Sequence, residues 1–121
     1  MALILIVDDD NSMRHFISNA LERAGHQTVV SSDALSALDT IQSDKNRRFD
    51  LLLTDVIMPG MDGIALSKKV SKIDPKLKIM FMTGFSGVVM NRKDLEKDTR
   101  MVSKPFHLKD LVNEVEKLIE T

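Results

Sequence analysis

At 121 residues with a formal net charge of −1, the chain is one domain's length and lacks the basic excess that would draw it to a phosphate backbone. It contains no Cys, which excludes disulfides and thiolate zinc sites and fits a reducing, cytoplasmic location. Apolar residues nowhere approach the roughly 20 in a row that span a bilayer, and the start lacks a signal peptide's basic region and cleavage site, so neither nucleic acid nor membrane is expected as a partner.

The stretch Leu3 to Asp10, "LILIVDDD", reads as a strand buried on both faces, because its aliphatic part has no polar alternation and is too short for a core helix. It ends in three adjacent carboxylates, which are costly to bury unless they protonate or meet a cation. Met13, Phe16, Ile17, Ala20, Leu21 and Ala24 then fall at helical spacing, with Asn11 placed to cap the start and Gly25 to end the helix. Gln27 to Ser31 is a short strand around Val29 and Val30. Ala34, Ala37, Leu38 and Ile41 give a second helical stripe, and "DKNRR" from Asp44 to Arg48 is a polar connector.

Phe49 to Asp55 brings another aliphatic strand, "LLLTD", again ending in a carboxylate. Turns are expected at Met58-Pro59-Gly60 and Asp62-Gly63, a helix over Ile64 to Ile73, and a break at Asp74-Pro75. Lys78 to Met82, "KIMFM", is a strand that leads into Thr83-Gly84. Phe85 to Arg100 carries only a weak pattern and is read as a short helix. Met101 to Ser103 is a brief strand before Lys104-Pro105, and Leu108, Leu111, Val112, Val115, Leu118 and Ile119 form an amphipathic helix. The result is βα repeated five times, an α/β fold with a doubly wound parallel sheet that has helices on both faces.

In such sheets ligands bind outside the C-terminal strand ends, beside the point where the winding reverses. Asp8, Asp9 and Asp10 end the first strand, Asp55 the third and Thr83 the fourth, and Lys104 follows the fifth. Four distant segments thus bring carboxylates, a hydroxyl and an ammonium to one mouth. That set suits phosphoryl transfer to a carboxylate. A hard dication such as Mg²⁺ takes oxygen ligands and screens the incoming phosphoryl group, while Lys104 and the Thr83 hydroxyl add positive and donor contacts. Asp55 is the candidate nucleophile.

"ILIVDDD", "LLLTDVIMPGMDG", "IMFMTG" and "SKPF" occur in the order and approximate spacing of the response-regulator receiver domain, the CheY-like module of two-component signalling, and the chain resembles that family over essentially all its length. The resemblance implies a flavodoxin-like (βα)5 sheet in the order 2-1-3-4-5 and a single receiver domain over residues 1–121. It implies Asp55 as phosphoacceptor, Asp9 as a direct Mg²⁺ ligand, Asp8 as a ligand through water, and the Ile57 main-chain carbonyl as a further ligand. Thr83 and Lys104 match the family's hydroxyl and lysine, and Lys104-Pro105 the place of its cis peptide. Asp10 matches a position that is often acidic but not usually a ligand, and a helix-cap role suits it. The phosphoryl donor would be a histidine kinase or histidine phosphotransfer protein.

Two departures stand out. Met101 occupies the place of the family's switch aromatic, and "EKDTRMV" lacks the Gly-Ala type turn of relatives, so the signalling face is expected to differ. A narrower resemblance, in "KIMFMTGF" and "SKPFHLKDLVNEVEKL", is to the CpdR type of stand-alone receiver, which implies the ClpXP protease as downstream partner. No output segment follows the last helix in this sequence, so output is expected by docking through Phe85 to Lys97 and the terminal helix. Phe85 and Ile57 would look over the acyl phosphate and hinder attacking water.

Other readings compete. Asp8-x-Asp10-x-Ser12 superficially fits the nucleophile motif of a Mg²⁺-dependent phosphatase of the haloacid dehalogenase type, although the acidic pair that class needs after the lysine is poorly met. A receiver fold that docks constitutively, without phosphorylation, is a third reading. His15, His26 and His107 do not cluster and read as surface or capping residues. The eight Met read as core filling.

Overall fold

The computed structural model describes residues 2–43, 48–84, 100–104 and 107–120. Five parallel strands, β1 (Leu3–Val7), β2 (Gln27–Ser31), β3 (Leu51–Asp55), β4 (Lys78–Thr83) and β5 (Arg100–Ser103), form one sheet in the order β2-β1-β3-β4-β5. Four helices are described: α1 (Asn11–Arg23), α2 (Ala34–Ser43), α3 (Gly63–Ile73) and α4 (Leu108–Glu120). The helix expected between Phe85 and Arg100 and the Lys104-Pro105 peptide lie outside the described residues, as does most of the "DKNRR" connector.

The unbroken aliphatic strands are explained by cover on both faces. Alternate side chains Ile4, Ile6, Leu51, Leu53, Met80 and Met82 meet Ile17 and Leu21 of α1 and Leu111 and Val115 of α4. On the opposite face Leu5, Val7 and Leu52 meet Ala34 and Ala37 of α2 and Leu66 and Val70 of α3. Five of the eight Met take part in these clusters or pack against them: Met13, Met58, Met61, Met80 and Met82. Met101 packs beside Val56, Ile64 and Phe81 in a third, smaller cluster.

Helix starts differ in detail from the sequence reading. The cap of α1 is Asp10, whose Oδ1 accepts from the Ser12 and Met13 N–H groups at 2.9 and 3.2 Å, and Asn11 is the first helical residue. A carboxylate accepts both orphan donors where an amide oxygen would do so more weakly. Gly25 follows the α1 C-cap with φ +99°, a left-handed value that its lack of a Cβ allows. Asp62-Gly63 is no separate turn: Asp62 caps α3 by accepting from the Ala65 N–H at 2.8 Å, and Gly63 opens the helix.

The N-terminal edge of the sheet is latched by side chains. Asp50 accepts from the Leu3 N–H at 2.8 Å. Lys78 at the start of β4 donates to the Leu118 and Ile119 carbonyls at 2.7 and 3.0 Å, covering the negative end of α4. His26 corrects the surface reading made for it. Its side chain is 9% exposed, its Nδ1 accepts from the Ala2 N–H at 3.1 Å, and its Nε2 lies 3.5 Å from Glu116 on α4. His15 and His107 are exposed, as expected.

Candidate functional site

The winding reverses between β1 and β3, because α1 leads to β2 on one side of β1 and α2 leads back to β3 on the other. The C-terminal ends of β1 and β3 are therefore neighbours, and Asp8 and Asp55 meet there. β4 and β5 complete the edge: the Val56 N–H donates to the Met82 carbonyl at 3.0 Å, and the Lys104 N–H to the Thr83 carbonyl at 2.7 Å.

Lys104 answers the demand of the acidic strand ends for a cation. Its Nζ stands 3.0 Å from Asp8 Oδ2 and 3.2 Å from Asp55 Oδ2. Asp8 is fully buried, and its other oxygen accepts from the Asp10 N–H at 2.9 Å. Asp9 is exposed at the rim. Asp8, Asp9 and Asp55 each offer a carboxylate oxygen within 4.8 Å of the others. An octahedral Mg²⁺ with oxygens about 2.1 Å away spaces them at most about 4.2 Å apart, so Asp9 and Asp55 fit such an ion directly after small side-chain adjustments, and Asp8, whose oxygens are already engaged, fits it at one water's remove.

Burial holds the Asp55 carboxyl above its ordinary value of 3.8; Lys104 opposes this by charge and hydrogen bond, the Asp8 charge reinforces it, and the Ile57 N–H opposes it weakly. Burial pulls the Lys104 ammonium down, yet its hydrogen bond to Asp8 and the charges of Asp55 and Asp8 leave it above 10.5. A raised carboxyl means that the folded protein binds the proton more tightly than the unfolded chain, so stability falls as pH rises from 3.8 through the raised value. Asp55→Asn should therefore be more stable than the parent at neutral pH in chelator, with the gap closing as pH falls toward 3.8. Calorimetric Tm against pH reads this, and a constant gap would contradict it.

The remaining expected residues are placed as follows. Thr83 is buried at the end of β4, and Ile57 is 49% exposed two residues beyond Asp55. Phe85 lies outside the described residues. The Asp10 carboxylate is engaged as the α1 cap, which undercuts the phosphatase reading that needs it for chemistry beside Asp8. Asp8 itself is a poor nucleophile, with both oxygens engaged and no exposure.

Two residues of this site escaped the sequence reading. Gly63 packs its backbone against β3 so closely that a Cβ would stand 2.1 Å from the Asp55 carbonyl oxygen, and its N–H donates to the Val56 carbonyl at 2.8 Å. A Gly just inside a helix start was its one signal. Arg14 reaches back from α1 to the Asp8 carbonyl at 2.6 Å, and nothing in the helical stripe marks it.

The chain matches the response regulator receiver domain family over residues 4–116. It is 48% identical over 120 residues to the response regulator receiver protein CpdR of Brucella abortus (strain 2308), covering 98% of each chain. It is 32% identical over 118 residues to sporulation initiation phosphotransferase F of Bacillus subtilis (strain 168), covering 96% of this chain and 92% of that one. Among solved structures, the response regulator TrrA of Thermotoga maritima in complex with Mg(2+)-BeF superposes with a TM-score of 0.84 at 27% identity, over 98% of this chain and 99% of that one. A carboxylate mouth at the switch point and kinship along nearly the whole length have a common explanation: the chain belongs to the response regulator receiver domain family, CheY-like modules of two-component systems that are phosphorylated by kinases.

Proposed function

We propose that residues 1–121 act as a single receiver domain, a cytoplasmic single-domain response regulator in which Asp55 accepts a phosphoryl group from a histidine kinase or histidine phosphotransfer protein. Among the described residues no helix is long and apolar enough to cross a membrane, which is compatible with that location. The reading is carried by one observation: Lys104 Nζ lies within hydrogen-bond reach of both Asp8 and Asp55, with Asp9 at the rim.

In this mechanism an oxygen of Asp55 attacks phosphorus in line with the departing imidazole nitrogen; the O–P bond forms as the N–P bond breaks. Asp9, Asp8 through water, Asp55 and the Ile57 carbonyl would hold Mg²⁺, which when bound supplies charge neutralisation at the transferring phosphoryl group. Lys104 exchanges its contact with Asp55 for a phosphoryl oxygen, and the Thr83 hydroxyl donates to another. The chain is a phosphoacceptor that assists its own phosphorylation and dephosphorylation rather than a turnover enzyme. Met101, packed against Val56, Ile64 and Phe81, stands in the place of the family's switch aromatic, and its flexible thioether can follow a change at Thr83.

Output is by docking to a protein. The likeness to CpdR supports ClpXP protease as that partner, the role its type implies. The test is intact mass after incubation with acetyl phosphate. One added phosphoryl group is expected, dependent on Mg²⁺ and absent from Asp55→Asn. Labelling of Asp55→Asn, or none of the parent by either acetyl phosphate or a phosphohistidine donor, would refute the reading.

Lifetime follows from the same site. Ile57 is 49% exposed two residues beyond Asp55, and by the resemblance to receivers Phe85, two positions after Thr83 in the sequence, belongs to the same water-hindering pair, so a Phe85→Ala, Ile57→Asn double variant should lose its phosphoryl group severalfold faster than the parent. Equal half-lives in a phosphate-release assay would sink that idea.

A further inference from the structure

Arg14 lies one turn into α1, and its guanidinium folds back over the end of β1. Nη1 donates to the Asp8 main-chain carbonyl at 2.6 Å, and Nη2 donates to Asn11 Oδ1 at 3.0 Å. The Asp8 carbonyl belongs to the peptide that joins Asp8 to Asp9, so the plane of that peptide governs the direction in which the Asp9 Cα–Cβ bond leaves the strand. Asp8 is held at several other atoms: its N–H donates to the Ser31 carbonyl at 3.3 Å, and its carboxylate meets Asp10 and Lys104. Asp9 is exposed at the rim and depends for its aim on the backbone that carries it.

A guanidinium suits the task because its rigid fork can satisfy a carbonyl and an amide oxygen together, and a charged donor makes the stronger bond. Asn11, the first residue of the helix, in turn fixes the fork. We propose that Arg14 is a positioning residue, which sets the Asp8–Asp9 peptide plane and thereby aims the Asp9 carboxylate into the cation site. The inference rests on the reading of Asp9 as a Mg²⁺ ligand.

Charge alone predicts the opposite sign. A guanidinium near the mouth repels a dication, so its removal would tighten Mg²⁺ binding if Arg14 acted only through its field. Orientation by an outer contact is worth about 10-fold to 100-fold in metal affinity where it matters.

The experiment is calorimetric titration of the parent, Arg14→Ala, Arg14→Lys, Asn11→Ala and Asp9→Asn with Mg²⁺ alone. The chain has no Trp or Tyr, so ring fluorescence offers no substitute. Expected is a Kd about tenfold weaker for Arg14→Ala, with Arg14→Lys and Asn11→Ala between it and the parent, at temperatures where each variant is folded. A control separates the two levels of the argument. If the parent binds no Mg²⁺, or Asp9→Asn binds it as the parent does, the reading of Asp9 falls and this inference with it. With that control met, an unchanged or tighter Kd for Arg14→Ala overturns the positioning role alone. Should Arg14→Ala not fold, Arg14→Lys decides by the same criterion.

Discussion

Gly63→Ala is expected to destabilise the protein by about 3 kcal/mol and to impair phosphorylation of the molecules that remain folded. The added methyl would stand 2.1 Å from the Asp55 carbonyl oxygen and 3.0 Å from its carbon. Both are backbone atoms that cannot rotate away. Helix propensity favours Ala over Gly by only about 1 kcal/mol, so the clash wins. Relief must come from sliding α3 off β3 or from displacing the Asp55 peptide, and either disturbs the proposed phosphoacceptor. Calorimetric unfolding and acetyl phosphate labelling report the two effects separately. A Tm equal to the parent's would mean that the approach of α3 to β3 is looser than described.

Lys104→Met should cost about 3 kcal/mol in the absence of divalent ions. The substitution leaves two adjacent carboxylates without their ammonium, one of them with no exposure at all. The lower part of the range for a broken buried pair applies, since the Lys104 side chain is 20% exposed and water can enter beside it. Mg²⁺ should restore more stability to this variant than to the parent, because it replaces the missing charge. In the parent, the raised Lys104 value means its contribution is complete below 10.5 and is lost as pH rises through the folded value. The variant lacks that alkaline loss and instead recovers as pH falls toward 3.8, the ordinary carboxyl value. Tm measured against pH, with and without Mg²⁺, tests the signs. A variant as stable as the parent in chelator would remove the ion pair from the account.

What the sequence discloses depends on how local each cause is. β1 and β3 are legible because burial on both faces demands unbroken aliphatic runs, and β2 because Val29 and Val30 sit between clear breaks. The joining of Asp8, Asp55, Thr83 and Lys104 at one edge is legible too, since parallel topology alone brings all strand ends together. Details that depend on remote partners are not. His26 follows Gly25 in what reads as a surface turn, yet it is covered because Glu116, 90 positions later, packs over it. The start of α1 is misplaced by one residue because Asp10 and Asn11 are both good caps, and only backbone geometry decides between them. Gly63 looks like an ordinary turn glycine until the distance to Asp55 is known, and Arg14 is one polar residue among several on α1.

The latches at the N-terminal edge of the sheet, Asp50 on Leu3, His26 on Ala2 and Lys78 on the end of α4, stand a full strand away from the carboxylate mouth. Five residues at about 3.3 Å each put roughly 16 Å between the two edges, about twice the screening length of physiological salt. Charge changes at that far edge therefore act on Asp55 only about a quarter as strongly as a charge in contact with it, since the Coulomb interaction falls with distance. Stability can be tuned there, by evolution or by design, while the chemistry at the opposite edge is much less affected.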